Sequence, residues 1–247
     1  MTRLLVTGGS RGIGRATALG AARRGWSVAI GYTADRVAAE GTAAAIAARG
    51  GKTACLRADI ANEAEVVAMF DGAVAALDGL DAVVINAGIV APVMPLAEMS
   101  GDRLRRMFEV NVLGSYLCAR EAARRLSRSR GGAGGAIVIV SSMAARLGSP
   151  NEYVDYAGAK GALDTLVVGL SRELGPEGVR VNGVRPGLIE TDIHASGGRP
   201  DRARTLGAAT PLGRAGEPEE VAEAILWLLG EGASYTTGAL IDVSGGR

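Results

Sequence analysis

Short, nearly continuous apolar runs alternate with longer stretches of helical period along the whole chain. The runs fall at 4–7, 27–32, 53–57, 82–86, 136–141, 180–184 and 239–243. They lack the in–out alternation of a one-sided sheet, so they predict strands covered on both faces. Between them, segments 12–24, 34–49, 62–77, 101–129, 155–174 and 217–230 have helical character. Strand–helix alternation of this kind predicts βαβ units around a parallel sheet. Ser100 marks one helix start, and Glu217-Pro218-Glu219-Glu220 marks another with acids in its first turn. Asn111 lies inside the 101–129 helix, just before Gly114, where asparagine is a poor choice. The pattern there predicts a local bulge with a purpose, with a solvated kink as the alternative. Gly131-Gly132-Ala133-Gly134-Gly135 is a loop too short to link domains. Segment 189–211 lacks strong period, carries Gly197-Gly198-Arg199-Pro200, and reads as a mobile flap. The expectation is a single domain over 1–247.

Composition narrows the function classes. The 27 basic and 26 acidic residues nearly cancel, which argues against nucleic-acid or membrane binding driven by bulk charge. Cys55 and Cys118 have no metal or redox spacing, and His194 is the sole histidine, so no metal site is expected. No apolar run reaches membrane-spanning length, and the chain enters a strand at Leu4 with no room for a signal peptide. A soluble cytoplasmic protein is the expectation. His194 reads as an exposed loop residue or a substrate contact. Arg120, Arg124, Arg125 and Arg128 read as a solvated helix face. Asn151-Glu152-Tyr153 reads as a polar rim to a pocket.

Candidate chemistry centres on Tyr156-Ala157-Gly158-Ala159-Lys160. Positions i and i+4 of a helix share a face, about 5–6 Å apart at Cβ. A phenol titrates near 10, and a cation beside it in a dry pocket favours the phenolate. Only Lys52 and Lys160 are lysines among the 27 basic residues, so a compact ammonium stands here in a chain that otherwise writes arginine. Taken alone, the pair reads equally as a chance neighbour pair on a surface helix. Thr7-Gly8-Gly9-Ser10-Arg11-Gly12-Ile13-Gly14 joins the first strand to the first helix. Such a turn brings backbone N–H groups and a helix N-terminus to a pyrophosphate, or serves only helix packing. Ala58-Asp59-Ile60 and Asn86-Ala87-Gly88 follow the third and fourth strands and face the same crevice. Asp59 suits either an adenine amino group or a helix cap.

Together these motifs resemble the short-chain dehydrogenase/reductase family over essentially the whole chain. The elements that carry the resemblance are Thr7 to Gly14, Asn86-Ala87-Gly88, Asn111, Ser141-Ser142, Tyr156 to Lys160 and Pro186-Gly187, in that order. The likeness to 3-oxoacyl-[acyl-carrier-protein] reductases and glucose dehydrogenases implies a Rossmann-like, doubly wound α/β domain of seven parallel strands. It implies Tyr156 as general acid/base, Ser142 as the hydroxyl that positions the substrate oxygen, and Lys160 as the cation that lowers the tyrosine pKa and holds the nicotinamide ribose. Ser141 is the alternative to Ser142. Asn111 would anchor a water in a proton relay. Gly8, Ser10, Arg11, Gly12, Ile13 and Gly14 would hold the pyrophosphate end of the cofactor, with Asp59, Ile60, Asn86, Ala87 and Gly88 beside them. Pro186, Gly187, Ile189 and Thr191 would meet the nicotinamide.

The second strand ends at Tyr32 with no carboxylate. Relatives that use NADP contact its 2′-phosphate with an arginine and a hydroxyl at the positions of Arg11 and Thr33. The expectation is therefore an NADP(H)-dependent oxidoreductase acting on a carbonyl or secondary alcohol. Asp35 is the argument for an NAD-dependent alcohol or sugar dehydrogenase instead, and a non-catalytic dinucleotide-binding protein is the third reading. A homotetramer is expected from the resemblance, with Ala224, Ile225, Leu228 and Leu229 as an apolar stripe that meets a partner subunit or the chain's own sheet.

Overall fold

Among the described residues, seven parallel strands form one sheet in the order β3-β2-β1-β4-β5-β6-β7. They are β1 (Arg3–Thr7), β2 (Ser27–Tyr32), β3 (Thr53–Arg57), β4 (Ala82–Ile85), β5 (Gly135–Val140), β6 (Val179–Pro186) and β7 (Leu240–Val243). The computed structural model describes residues 2–247, and of His194 only the backbone. The order reverses between β1 and β4, so a crevice opens beyond the carboxyl ends of those two neighbours. Thr7 is in register with Gly31 on one side and Ile85 on the other.

Strands β1, β2, β4 and β5 are mostly apolar and buried because both faces of the sheet are covered there. Along β1, Leu5 joins a core with Phe70, Val83 and Ile137, while Leu4 and Val6 join the opposite core with Ile30, Val84 and Val138. That split follows from the two-residue period of a strand. The helices over the two faces are α1 (Gly12–Arg23), α2 (Arg36–Ala47), α3 (Glu63–Leu77), α4 (Gly101–Phe108), α5 (Ser115–Leu126), α6 (Ala144–Leu147), α7 (Val154–Leu174), α8 (Ile193–Ser196), α9 (Arg202–Gly207) and α10 (Pro218–Leu229). The expected helix starts hold: Ser100 Oγ accepts from Arg103 N at 3.2 Å, and Glu220 Oε2 accepts from Glu217 N at 2.8 Å.

Several expectations need correction. The helix expected over 101–129 is two helices, α4 and α5, joined by a π-helical turn at Glu109–Gly114 that contains Asn111. A bulge was expected at that position, and the next section gives its cause. Segment 189–211, expected as an aperiodic flap, holds the short helices α8 and α9. Period analysis missed them because they have only 4 and 6 residues. The apolar stripe of α10 is not a free face. Ile225, Leu228 and Leu229 are buried against this chain's own sheet with Val6 and Val184. Arg120, Arg124 and Arg125 are not a purely solvated face either, because all three pair with the buried Glu121 carboxylate.

Candidate active site

The glycine turn is held from the β4 side. Thr7 Oγ1 accepts from Asn86 N at 2.9 Å and Ala87 N at 3.1 Å. Asn86 Nδ2 donates back to Thr7 O and Gly8 O at 3.1 and 3.0 Å. Asn86 therefore fixes the turn's backbone. The turn has no room for side chains: a Cβ on Gly14 would stand 2.1 Å from Gly8 O. Helix α1 begins at Gly12, its N-cap Arg11 makes no side-chain capping bond, and no acid lies in its first turn. The N–H groups at this helix start are thus left for an anion, which the partial positive charge of the helix end favours. These features fit the pyrophosphate of a dinucleotide.

At the far edge of the turn, Thr33 Oγ1 donates to Ala58 O at 3.0 Å. Asp35 is the N-cap of α2 and accepts from Ala38 N at 2.9 Å. Its other oxygen lies 3.9 Å from Arg11 Nη1, and both side chains are exposed enough to respond to a ligand. Asp59 does not cap α3; Asn62 does, accepting from Ala64 N and Glu65 N. Instead Asp59 accepts from Ala61 N and Arg106 Nη2, both at 3.0 Å. Against the upward push of burial, these partners hold its carboxyl below the usual range. The Ile60 side chain is core, so little more than its backbone remains for the crevice.

Helix α7 carries Tyr156 and Lys160 one turn apart. Lys160 is buried; its Nζ donates to Val140 O at 2.8 Å and lies 5.6 Å from the Tyr156 ring centroid. Ser141 Oγ donates to the Lys160 carbonyl at 3.1 Å and so serves to seat the helix. Ser142 is the serine whose side chain acts on the Tyr156 phenol, favouring the phenolate. It also accepts from Ala144 N at 3.1 Å, at the start of α6. Burial pushes the Tyr156 phenol up to about 12, with Ser142 acting the other way. Burial likewise pulls Lys160 down to about 8, opposed by Asp164. In this geometry desolvation of the phenol outweighs the opposing effect of Ser142.

Asn111 is fully buried. Its Oδ1 accepts from Ile89 N and its Nδ2 donates to Ile89 O, both at 3.0 Å. The π-helical turn brings the carboxamide to this segment. Between them lies Gly88, where a Cβ would stand 2.6 Å from Asn111 Oδ1 and 3.7 Å from Lys160 Nζ. Ile89 takes both ends of the carboxamide, so the side chain pins the loop after β4.

One cleft, open to solvent, gathers Ile13, Asn86, Gly88, Ser142, Tyr156, Lys160, Pro186, Gly187, Ile189 and Thr191 on its wall. Gly8, Ser10, Arg11, Gly12, Gly14, Tyr32, Thr33, Asp59, Ile60, Ala87 and Asn111 are not part of that wall. Gly12 packs beneath Thr191, with a Cβ position 3.2 Å from Thr191 Cγ2. Tyr153, read as part of a polar rim, does line the cleft, and Met143, Leu147, Arg202 and Arg247, which were not singled out, line it too. Only Tyr153 had a sequence signal, its place just before Tyr156. The expectation for the His194 side chain lies outside the described residues.

Comparison with known proteins agrees with this geometry. A family profile described as "Enoyl-(Acyl carrier protein) reductase" matches residues 8–247. The chain is 51% identical over 247 residues to "Uncharacterized oxidoreductase YgfF" of Escherichia coli (strain K12), covering 100% of each. A short chain dehydrogenase from Burkholderia cenocepacia J2315, solved in complex with NADP, is 32% identical with a TM-score of 0.90, over 99% of this chain and 97% of that one. A 3-ketoacyl-(acyl-carrier-protein) reductase from Brucella melitensis, complexed with NADH, is 29% identical with a TM-score of 0.90, over 100% and 98%.

Proposed function

The chain belongs to the short-chain dehydrogenase/reductase family, and we propose that it is an NADP(H)-dependent oxidoreductase interconverting a carbonyl compound and a secondary alcohol. The observation that carries the proposal is the single cleft in which Ser142, Tyr156 and Lys160 share a wall with Ile13, Asn86 and Gly88 of the turn region. When bound, a nicotinamide dinucleotide supplies or accepts the hydride at the substrate carbon. The chain supplies alignment and a proton. In reduction the Tyr156 hydroxyl gives its proton to the carbonyl oxygen, and in oxidation the phenolate takes the alcohol proton. Ser142 donates to the same oxygen and fixes its place. Lys160 favours the phenolate as it forms and holds the nicotinamide ribose.

In this reading the chain acts as one domain, with segment 189–211 beside the substrate. Arg11 and Thr33 face the adenosine 2′-phosphate, and no carboxylate ends β2 to repel it. The NADP complex of the Burkholderia protein agrees with that choice. A second reading, NAD(H), draws on Asp35, 3.9 Å from Arg11, and on the NADH complex of the Brucella protein. A homotetramer in the cytoplasm belongs to the same proposal. Exposed Phe108, Leu113, Tyr116 and Trp227 are consistent with subunit contacts, and Cys55 and Cys118 are both free thiols. The test is NADPH oxidation against a panel of ketones and aldehydes, with Tyr156→Phe as the control. No turnover on any carbonyl, or equal turnover by the variant, would overturn the reading.

A further inference from the structure

The cleft wall beyond Tyr156 is cationic. Lys160, Arg202 and Arg247 line it, and among the described residues no Asp or Glu side chain does. Arg202 is fixed and neutralised: its Nη1 and Nη2 donate to Glu152 Oε1 and Oε2 at 2.9 and 2.6 Å. Its guanidinium carbon lies 5.1 Å from the Tyr153 ring centroid. Tyr153 caps α7 three residues before Tyr156, which puts this cluster about one helical turn from the reacting hydroxyl. Glu152 Oε1 also accepts from Arg199 at 2.9 Å. One carboxylate thus faces the guanidinium groups of Arg199, Arg202 and Arg247 and is already shared by the first two.

Arg247 differs from the others. Its main chain is held by Ser244, whose oxygen accepts from Arg247 N at 3.4 Å and whose Oγ donates to Arg247 O at 3.3 Å. Among the described residues its guanidinium has no hydrogen bond and no ion pair. Desolvation, and then repulsion by Arg202, weakens its hold on a proton, yet a guanidinium does not deprotonate in a protein. Arg247 is exposed, so its guanidinium is solvated and open to an anion that enters the cleft. A single free guanidinium fork matches the two oxygens of a carboxylate, and a dianionic phosphate would call for more donors.

We propose that the substrate carries a carboxylate away from its reacting carbon, and that the Arg247 guanidinium receives it with Arg202 alongside. This rests on the oxidoreductase reading of the cleft, so its test uses binding as well as turnover. The probes are three ketone pairs: levulinate, 3-oxocyclohexanecarboxylate and 4-acetylbenzoate, each against its neutral primary amide. Calorimetry with and without NADP+ should show a carboxylate bound at least about tenfold more tightly than its amide in one pair or more, about 1.4 kcal/mol. Arg247→Gln should bring that ratio close to one, and Arg247→Lys should restore part of it. A ratio near one for all three pairs in the parent protein, or a ratio unchanged in Arg247→Gln, overturns the proposal. Selective carboxylate binding without NADPH oxidation on any ketone would leave the anion site standing and remove the oxidoreductase reading. Reduction of neutral ketones with no carboxylate preference would do the reverse.

Discussion

Asn111 and Ile89 exchange two hydrogen bonds of 3.0 Å, side-chain amide to main chain, at the point where a helix widens into a π turn. The pair ties α4 and α5 to the loop after β4 and leaves Gly88 as the only backbone that fits between Asn111 and Lys160. Replacing Asn111 by leucine removes both partners of Ile89 in a buried setting. Each orphaned group costs about 1–3 kcal/mol, so Asn111→Leu should lose about 2–5 kcal/mol in urea unfolding. Asn111→Asp keeps the acceptor for Ile89 N and should lose less. A leucine variant within about 0.5 kcal/mol of the parent would show that the pair does not hold the loop.

Tyr156→Phe should abolish nearly all turnover while leaving cofactor affinity within a few-fold. Only the hydroxyl is removed, and a positioned general acid contributes about 10²–10⁴-fold. Lys160→Arg should also fail, because a planar fork cannot replace the compact ammonium that reaches Val140 O at 2.8 Å. Stopped-flow turnover and fluorescence titration with NADPH separate the two effects. Turnover of the phenylalanine variant within tenfold of the parent would remove Tyr156 from the reaction.

The buried Lys160 predicts a pH dependence of stability. Its pKa is about 8 in the folded chain, below the ordinary 10.5. The charged form is disfavoured by folding, so the cost is full below pH 8 and fades as pH rises toward 10.5. The shift corresponds to about 3 kcal/mol. Tyr156, raised to about 12, acts only above pH 10, and in the opposite direction. Lys160→Met should therefore be more stable than the parent at pH 7, and the gap should shrink between pH 8 and 9.5. Guanidinium unfolding across that range checks it, and a gap independent of pH would show that the lysine is not charged at a cost.

The sheet was legible because its inner strands are buried on both faces and read as apolar runs, while the half-exposed edge strands β3 and β7 keep enough apolar residues to read the same way. Thr53–Arg57 and Ser27–Tyr32 match to the residue, and the others differ by a residue or two at their ends. Tyr156, Lys160 and the glycine turn were legible from local chemistry and spacing, whereas Ser142 came from the family resemblance. Arg202 and Arg247 were not, since they reach the cleft from α9 and from beyond β7 through tertiary contacts that leave no period in the sequence. The α10 stripe misled for a related reason: an apolar helix face reads the same whether it meets its own sheet or a partner. Asn111 is the intermediate case. Its helix-averse residue type gave away the bulge but not the Ile89 main chain that the bulge serves.

Two glycines predict opposite outcomes. Gly14→Ala would put a methyl 2.1 Å from the Gly8 carbonyl oxygen, a backbone atom with no freedom to swing away. The variant should lose about 1–3 kcal/mol from overpacking and bind NADP(H) at least about tenfold more weakly, as the turn opens. Gly41, inside α2, has nothing within 4 Å of its Cβ position. Gly41→Ala should gain about 0.5–1 kcal/mol from helix propensity alone. Thermal unfolding and cofactor titration of both variants test whether crowding, rather than glycine content, governs the turn.

The choice between NADP(H) and NAD(H) turns on Arg11 and Asp35, whose charged groups stand 3.9 Å apart at the end of β2. An arginine–phosphate contact is charge-assisted and contributes about 1.5–3 kcal/mol. On that basis kcat/KM should favour NADPH over NADH by roughly 10- to 100-fold, and Arg11→Ala should remove most of the ratio. Asp35 works against it, since its carboxylate competes for Arg11 and repels a 2′-phosphate. Asp35 also caps α2 by accepting from Ala38 N at 2.9 Å. Asparagine keeps that acceptor and removes the charge, so Asp35→Asn should raise the NADPH preference several-fold with stability held within about 0.5 kcal/mol. Steady-state kinetics with both cofactors decide it. Equal use of NADH by the parent, or a ratio unmoved in Arg11→Ala, would mean that these residues form no 2′-phosphate pocket, and Asp35 would then be read as the acceptor of a ribose hydroxyl.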